Sequence, residues 1–537
     1  MMIKKYVYIA CGLLLVLSGP GCSKDEQVFE EPYKQGKEPL GIKIDPTQVP
    51  QPAAGNPGTV VSIKGTGMLE YQDKLVFMFN GQPAEIVEVS ETGVKAKVPD
   101  FASTGVTSVA VEDVIVFGPE FTVEGFIQLD PTFRATAGTN AQVKRVVTMP
   151  DGKHFVLGRF TNYDNKGIVR PLNRIVRTFP DGTYDPSFRT GKGANGFLTS
   201  LLPFGNKYVI TGGFSGYGDQ TQNISNITFL NTNGTIDTMG VHTFRRVDQT
   251  DTIQFFPAFN GGTDGHIEEV YEQDGKLIVT GNFRYYISRR YEEPNLYETR
   301  DTIILDSIEA RQIIRLNADG SLDKTYRFDG NKTFQAANGD VETYVHQEGT
   351  LAGKMLVSGN FSTFDGQPVG YITRLNEDGT IDEDFKTGSG ANYYIHSATY
   401  NEHLEKYVIT GKFKSFDGSP AVGIAVLNKD GTLDPAFQAR VLENGYADYA
   451  EILDDGLIVV SGFFTKYDGI TRNGFMVLNP DGSLAPGYNA TGTFSGAGLE
   501  DIVETRSADD KRALLLYGAF YRFNNEEVDN IIRVTLE

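Results

Sequence analysis

Short apolar runs, separated by clusters of Gly, Asn, Asp and Ser, recur along nearly the whole chain. Residues 59–64 and 94–98 alternate apolar and polar side chains, which is typical of strands with one buried face. Residues 75–79 run into Asn80-Gly81, a pair that predicts a hairpin turn. No window sustains apolar residues at helical spacing over three turns. The pattern therefore predicts an all-β protein with almost no helix.

One phrase, an apolar run that ends in Gly-x-Phe, occurs seven times, most often about 50 residues apart. Self-similarity at this period is typical of a solenoid, a propeller or another repeat array. In the unit at 372–413 a strand leads into Asp378-Gly379, then Asp382 and Phe385, and a second strand precedes the closing phrase. The phrase occurs at Gly158/Phe160, Gly212/Phe214, Gly281/Phe283, Gly359/Phe361, Gly411/Phe413, Gly462/Phe464 and Gly518/Phe520.

Most units also carry the turn Asp-Gly-[Ser/Thr]-x-Asp or a partial version of it. Asp-Gly supplies the positive φ angles of a tight hairpin, and the second acid can accept hydrogen bonds from nearby backbone N–H groups. The glycine of Gly-x-Phe permits a β-bulge or a close backbone approach, and its phenylalanine points to the core. An alternative interpretation of Asn317, Asp319 and Asp323 is a calcium site, although the downstream acid of an EF-hand is missing. The full turns begin at Asp181, Asp319, Asp378 and Asp430, and their second acids are Asp185, Asp323, Asp382 and Asp434.

Two family resemblances follow from these motifs. Residues 126–537 keep the elements in a constant order and resemble the delta-60 repeat family, whose repeats form β-propeller blades. Residues 40–125 resemble the IPT/TIG immunoglobulin-like family, which implies a β-sandwich that acts as a spacer or docking module. The expected fold class is thus all-β, with an immunoglobulin-like β-sandwich followed by a seven-bladed β-propeller. The IPT/TIG resemblance rests on Asp45-Pro46, Gly58-Thr59, Gly65-Thr66-Gly67, Asn80-Gly81, Ala84 and Val98-Pro99, with Met68 in place of the usual phenylalanine.

The two ends of the repeat region suggest how the propeller closes. The first unit opens abruptly at residues 126–129, before Asp130, with no Asp-Gly turn ahead of it. The chain ends in residues 531–536, which are similar to the strand at 313–316 but have no turn after them. Because closure removes exposed sheet edges, we predict that the N- and C-terminal strands pair and close the ring.

The N-terminus has the features of an export signal. Lys4 and Lys5 precede an apolar stretch too short to span a bilayer, and residues 19–22 resemble a bacterial lipobox that ends at Cys22. We therefore predict a signal peptide over residues 1–21, lipidation of Cys22, and a flexible tether over residues 22–39; the alternative is an ordinary secreted protein. The acidic residues 25–26 resemble the export signal of outer-membrane lipoproteins of the Bacteroides group, which implies an anchored protein that faces the cell exterior.

Charge and composition exclude several classes of partner. The net charge of −20 repels nucleic acid phosphates and anionic head groups, so we predict no nucleic acid partner and membrane contact through the lipid anchor only. The six histidines belong to no recognisable catalytic or metal-binding frame, and we predict no cofactor, metal or catalytic residues.

Tyrosine and arginine cluster in an insertion of the third repeat unit. Aromatic faces stack on sugar rings, and arginine forks bind hydroxyls and carboxylates. The alternative is a hairpin whose tyrosines pack on the propeller edge. A second tyrosine set lies in unit loops, and the lack of Trp counts mildly against carbohydrate binding. The candidate ligand-binding residues are Tyr285, Tyr286, Arg289, Arg290, Tyr291, Tyr297, Tyr393, Tyr394, Tyr446 and Tyr449.

The combination of anchor, sandwich and propeller resembles accessory surface lipoproteins of glycan-utilisation systems in the Bacteroides group. This resemblance implies non-enzymatic binding of a polysaccharide or oligosaccharide for an outer-membrane importer complex. Two other classes of function stay open. One is an adhesion or scaffold protein whose propeller binds another protein, and the other is a polysaccharide-active enzyme, since propellers host several chemistries.

Overall fold

The computed structural model describes residues 40–243, 252–291, 303–330 and 332–537. The predicted signal peptide, Cys22, the predicted tether and Tyr297 lie outside these residues. The described chain is built almost entirely from β-strands, as predicted; its helices are two short 3₁₀ turns, Leu69–Tyr71 and Gly349–Leu351. None of the helices in the described segments has the length and apolar character needed to span a bilayer.

The N-terminal part is one eight-stranded sheet that wraps around an apolar core. Val61, Phe77 and Phe121 are almost completely buried in this core. Phe79 pairs with Gln82 across Asn80-Gly81, and both turn residues have positive φ, so the predicted hairpin is confirmed. All neighbours are antiparallel except the last pair in the spatial order Lys43–Ile44, Val60–Thr66, Gly93–Lys97, Gln82–Ser90, Leu75–Phe79, Gly105–Val111, Val114–Val123 and Ala54–Gly55.

Among the antiparallel sheets that the described residues form after the N-terminal part, seven correspond to the seven Gly-x-Phe phrases. Each sheet contacts the next in chain order, and the seventh contacts the first, so that the sheets form a closed ring. We number the sheets 1 to 7 in chain order. Their strands are Val143–Thr148, His154–Gly158 and Ile175–Thr178; Phe197–Phe204, Lys207–Gly213 and Ile227–Asn231; Ile267–Gln273, Lys276–Gly281 and Ile313–Leu316; Asp340–Val345, Met355–Asn360 and Ile372–Leu375; Ile395–Asn401, Lys406–Gly411 and Ile424–Asn428; Ala447–Ile452, Ile458–Gly462 and Phe475–Leu478; Ser495–Arg506, Arg512–Phe523, Ile531–Leu536 and Ile127–Leu129.

The described residues also form two hairpins and several short strands in addition to the strands named above. Two hairpins extend from the insertions of the second and third units, and the short pairs lie mainly between a Gly-x-Phe phrase and the following strand. The hairpins are Thr238–Thr243 with Thr252–Pro257 and Tyr285–Arg290 with Ile304–Glu309; the short strands are Phe328–Asp329, Lys332–Thr333, Thr363–Phe364, Gln367–Pro368, Ser415–Phe416, Ser419–Pro420, Leu442–Glu443, Lys466–Tyr467, Ile470–Thr471 and Glu526–Glu527.

The predicted pairing between the first and last strands of the repeat region is confirmed. Ile531–Leu536 pairs on one side with Arg512–Phe523 and on the other with Ile127–Leu129, the first strand of the repeat region. Asp130 follows that first strand and accepts a 2.5 Å hydrogen bond from the Arg533 Nε, and both side chains are buried. Segments about 400 residues apart in sequence thus share sheet 7.

The second acid of the repeat turn holds its unit together in sheets 1, 3 and 4. In sheet 1, Asp185 Oδ1 accepts the backbone N–H of Ser187 at 3.0 Å, as the sequence predicts. Its second oxygen also accepts hydrogen bonds from Arg177 Nε at 2.9 Å and Lys153 Nζ at 3.0 Å. Sheets 3 and 4 repeat this arrangement around Asp323 and Asp382. The Arg533–Asp130 pair reproduces it across the chain ends.

Several hydrogen bonds join the N-terminal part to sheets 6 and 7. Thr104 donates its backbone N–H to the Ala490 carbonyl at 2.8 Å. Arg472, whose side chain is almost fully buried, donates to the Phe101 carbonyl at 2.9 Å. The N-terminal part therefore contacts the ring at sheets 6 and 7, and Ala490 also packs in its apolar core.

Candidate functional site

The inner strand is the first strand in chain order in sheets 1 to 6 and Ser495–Arg506 in sheet 7, and in most sheets it contains a one-residue bulge. In sheet 5, Ile395 pairs with Gly411 and Ser397 pairs with Thr410, so His396 has no partner across the ladder. A bulge of this kind re-aims a side chain. The bulged residues are Lys144, Thr199, Glu268, His396, Asp448 and Glu500; Glu342 holds the corresponding position in sheet 4, where the ladder is regular.

Each bulge lies beside the glycine of a Gly-x-Phe phrase. A Cβ atom on Gly158 would lie closer than 3.0 Å to the Gln142 carbonyl oxygen, and one on Gly411 would lie equally close to the Tyr394 carbonyl oxygen. The other five phrase glycines face a carbonyl at the start of an inner strand in the same way. The close approach and the bulge predicted from this glycine are therefore both present, and the bulge lies in the facing strand.

The seven inner strands enclose a central cavity of about 480 Å³. We call the end of this cavity at which the inner strands begin the mouth. The bulged residues of sheets 1, 2, 3 and 7 line the cavity, and Glu342 of sheet 4 lines it too. Among the lining residues, seven are carboxylates and two are cations: Glu268, Glu269, Asp340, Glu342, Glu451, Glu500 and Asp501 against Lys144 and Arg145.

Both lining cations already have carboxylate partners. Lys144 Nζ lies 2.9 Å from Glu500 Oε2, and Arg145 contacts Asp501 at 3.3 Å and also pairs with Glu269. Glu342 has no hydrogen bond or ion pair within the described segments, although its side chain is exposed to the cavity. The surrounding protein and the carboxylate of Glu500 raise the pKa of Glu342 to about 7.

At the floor of the cavity, the Tyr449 hydroxyl lies between the carboxyl groups of Glu451 and Asp501. The Tyr449 hydroxyl lies 2.6 Å from Glu451 Oε2 and 2.8 Å from Asp501 Oδ1. A hydroxyl donates only one hydrogen, so one of the two carboxyls must donate the second. Burial and the nearby Asp501 raise the pKa of Glu451 well above its ordinary value.

Six aromatic rings form a continuous arc beside the mouth, across sheets 4, 5 and 6. Neighbouring ring centroids are between 4.5 and 6.5 Å apart in every case, a normal range for aromatic pairs. The side chains of Tyr393 and Phe463 are 50% and 42% exposed, so the arc presents free ring surface. In spatial order this aromatic arc comprises Tyr371, Tyr393, Tyr394, His396, Tyr446 and Phe463.

The arc comes nearest to the cavity at His396, whose chain neighbour Ser397 lines the cavity. Its ring stacks on Tyr446 at 4.9 Å, and its Nδ1 lies 3.4 Å from Asp448 Oδ1. Lys412, the central residue of its Gly-x-Phe phrase, holds its ammonium 4.1 Å from the centroid of Tyr446. Burial and Lys412 lower the pKa of His396, so its ring is neutral at pH 7. Burial and the carboxylate of Glu500 raise the pKa of Asp448 to about 6.

The opposite side of the mouth carries a different set. The Arg159 guanidinium lies 4.2 Å from the Phe197 ring centroid, and Phe197 packs edge-on against His266. His266 Nε2 lies 2.9 Å from Glu268, a hydrogen bond that raises the pKa of His266. Arg159 occupies the central position of its Gly-x-Phe phrase, like Lys412 and Phe463 on the other side. The mouth is therefore chemically asymmetric.

The structure brings only part of the predicted candidate set together. Tyr393, Tyr394 and Tyr446 lie in the aromatic arc. Tyr449 points away from them, into the buried core below the cavity. Sequence reasoning missed Tyr371, His396 and Phe463, although the place of Phe463 within a Gly-x-Phe phrase was a usable signal.

The insertion of the third unit forms a hairpin at the ring edge, as the alternative interpretation predicts. Tyr286 is 4% exposed and its hydroxyl donates to the Gly320 carbonyl at 3.0 Å. Tyr291 stacks on Phe256 of the neighbouring hairpin at 4.3 Å. Arg289 donates to Ser225, Arg290 pairs with Asp306, and Tyr285 packs beside Arg284. These side chains are thus not part of the mouth.

The turn acids make local contacts. Asp319 Oδ1 accepts the backbone N–H of Ser321 at 2.9 Å, and Asp323 pairs with Lys276 and Arg315. Across the described part of the chain, no three acidic, histidine or cysteine side chains meet in a metal-binding arrangement. The contacts at 317–323 are those of the predicted hairpin turn.

Two families match parts of this chain. Residues 150–188, 304–326, 353–385, 406–437 and 453–487 match the family described as "Domain of unknown function (DUF5122) beta-propeller". Residues 18–119 match "Domain of unknown function (DUF5008)". The ring is accordingly similar to a β-propeller. None of the curated proteins compared with the chain matches it.

Solved structures resemble the chain only distantly. An auxiliary nutrient binding protein from Bacteroides thetaiotaomicron VPI-5482 is 11% identical, with 92% of this chain and 98% of that chain covered and a TM-score of 0.34. One from Bacteroides ovatus ATCC 8483 is 12% identical, with coverages of 91% and 98% and a TM-score of 0.30. The computationally designed Ika8 protein is 9% identical, with coverages of 76% and 99% and a TM-score of 0.33. At these TM-scores the likeness carries no functional argument.

Proposed function

We propose that this protein binds a glycan at the mouth of its ring, without catalysing a reaction on it, and holds the glycan for an outer-membrane uptake system. The ring acts as a seven-bladed β-propeller over residues 126–537, and an IPT/TIG-type sandwich over residues 40–125 serves as its spacer. The observation that carries this proposal is the aromatic arc, six adjoining rings of which Tyr393 and Phe463 are exposed, beside a polar cavity.

The chemistry of the arc suits a sugar. A pyranose ring offers an apolar C–H face, which packs on an aromatic ring, and a rim of hydroxyls, which hydrogen bond to carboxylates and amides. Tyr393 and Phe463 supply exposed faces at separate points along the arc. Asn282 and Asp340 line both the cavity and a groove between sheets 3 and 4, so a chain of several sugars has polar contacts beyond the arc.

The test is a pair of substitutions at the exposed rings. Tyr393→Ala/Phe463→Ala should weaken binding roughly tenfold or more, because each stacking contact contributes on the order of 1 kcal/mol. Binding would be measured by calorimetry against dextran, chitosan and polygalacturonate. Tyr521→Ala is the matched control, since Tyr521 is 61% exposed and lies outside the arc. If a polysaccharide binds the double variant as well as the parent, or only proteins bind the ring, the proposal fails.

We also propose that Cys22 carries the lipid and that the protein is anchored in the outer membrane and faces the cell exterior. The support is the order of charged, apolar and small residues over positions 4–22, followed by two acids. Cys22→Ala should move the protein from the detergent phase to the aqueous phase, with Cys11→Ala as the control. Protease added to intact cells should digest the parent; detergent-phase partitioning of the Cys22 variant would contradict lipidation.

A further inference from the structure

We infer that the sugar unit held over the central cavity carries an ammonium group, as an amino sugar does. The inference rests on the proposed glycan binding and adds the charge class of the ligand. It starts from an imbalance in the cavity wall, where seven carboxyl groups, with the pKa values of Glu342 and Glu451 raised, face two cations. The whole chain is acidic as well, with a net charge of −20, so the surrounding field does not offset the imbalance.

The existing ion pairs leave specific carboxylates uncompensated. Lys144 is paired with Glu500, and Arg145 with Asp501 and Glu269. In the described segments, Glu342 is left without a hydrogen bond or ion pair while its side chain faces the cavity. The carboxylate of Glu500 repels that of Glu342, and a ligand cation between them would relieve this repulsion. A uronate or sulfate in the same place would be repelled.

The aromatic arc places sugar and charge next to each other. His396 belongs to the arc and lies 3.4 Å from Asp448, so a sugar stacked on the arc has a carboxylate within a few ångströms of its edge. The protein itself shows that this surface accommodates an ammonium, since Lys412 Nζ lies 4.1 Å from the centroid of Tyr446. Free amines lack the ring that would stack, which is why the arc favours an amino sugar over a simple cation.

The experiment compares three oligosaccharides of equal length on the full-length protein in detergent. Calorimetry would use the hexasaccharides of glucosamine, N-acetylglucosamine and galacturonic acid. We expect the glucosamine hexamer to bind about tenfold more tightly than the N-acetylated one, as a charged hydrogen bond adds to a shared stacking contact, and the galacturonate hexamer to bind least. Equal affinities, or preference for the galacturonate, would overturn the inference.

Two further substitutions, one that removes a negative charge and one that removes a positive charge, test which residues set the preference for glucosamine. Glu342→Gln should remove the preference for glucosamine and leave N-acetylglucosamine binding unchanged, while the same change at exposed Glu526 should alter neither. Lys412→Gln removes a neighbouring positive charge and should tighten glucosamine binding. An unchanged preference in the Glu342 variant would overturn the inference. A lysine pentapeptide that binds as tightly as the glucosamine hexamer would also overturn it, because charge alone would then explain recognition.

Failure of the inference and failure of the proposed function give different results. If the N-acetylated or galacturonate hexamer binds best and Tyr393→Ala/Phe463→Ala weakens that binding, glycan capture stands and the charge assignment falls. If no hexamer binds in a way that depends on Tyr393 and Phe463, both fall.

Discussion

Removal of residues 530–537 should open the ring and destabilise all seven sheets together. The deletion takes away the strand that joins Arg512–Phe523 to Ile127–Leu129, and with it the hydrogen-bonded continuity of sheet 7. Arg512–Phe523 and Ile127–Leu129 would then each have a free sheet edge. The deletion should therefore lower the stability of the whole ring and not of sheet 7 alone.

The magnitude follows from the burial of the deleted strand. Ile531, Ile532, Val534 and Leu536 are all 6% exposed or less. Complete burial of such a side chain contributes about 1.5–3 kcal/mol, so four contribute roughly 6–12 kcal/mol, an upper estimate because unfolded chains already bury some apolar surface. This range overlaps the roughly 5–15 kcal/mol that stabilises a typical folded domain. The truncated ring should therefore be largely unfolded at 37 °C.

Urea unfolding measured by circular dichroism and tyrosine fluorescence would test this, since the chain has 26 tyrosines and no tryptophan. Deletion of exposed Glu537 alone is the length control. A second variant keeps the full chain: Arg533→Met leaves Asp130 buried without its cation and should cost about 3–5 kcal/mol. The comparison is Arg506→Met, whose exposed pair should contribute less than about 1 kcal/mol. A truncation that unfolds at the parent's urea concentration would refute the closure argument.

Three further predictions concern single positions in the repeats. Tyr286→Ala should lower the free energy of unfolding by about 3–5 kcal/mol and Tyr286→Phe by about 1 kcal/mol, with glycan affinity unchanged in the Phe variant; a loss of affinity in that variant would return this residue to the binding site. Gly411→Ala should cost about 1–3 kcal/mol in a thermal melt, because its Cβ would meet a facing carbonyl; an unchanged melting temperature would contradict this. Burial alone would raise the pKa of Asp382, but hydrogen bonds from Lys354 and Arg374 outweigh it and lower the pKa. Stability from this group is therefore complete above about pH 4 and is lost as the pH falls further, so urea unfolding at pH 3 and pH 6 should differ less in Asp382→Asn; an equal difference would contradict the assignment.

The parts of the fold that the sequence predicts correctly are those with local or repeated causes. The turn at 378–382 works within a few residues, because Asp378 accepts the backbone N–H of Thr380 at 2.9 Å, as its spacing suggests. Closure of the ring is a long-range contact, yet it was predictable. Residues 531–536 are similar to the strand at 313–316, which begins a repeat unit, and the unit that opens at residues 126–129 has no such strand before it. In a repeat protein, a long-range strand pairing can therefore be predicted by comparing one repeat unit with another.

The candidate site was only partly predictable, since clustering in sequence is a poor guide to clustering in space here. Tyr286 stands five residues after its phrase glycine, where Tyr163, Tyr217 and Tyr467 also donate to a turn glycine. Its role is therefore a property of the repeat, although it lies among other tyrosines. Tyr446 and Tyr449 are close in sequence, but Tyr446 precedes the strand Ala447–Ile452 and Tyr449 lies within it, and only Tyr449 is buried in the core.

The asymmetry of the mouth shows how a repeated framework can form a single oriented site. The glycine and phenylalanine of each phrase are constant, because one passes under a carbonyl and the other fills the core. The residue between them and the residue that bulges opposite differ from sheet to sheet while the seven sheets persist, so these positions can vary without loss of the ring. Cations and acids occupy them on sheets 1 and 3, whereas Lys412 and Phe463 border the aromatic arc on sheets 5 and 6. A ligand that recognises both halves can bind in only one orientation, and its specificity can change at these positions while the seven sheets remain intact.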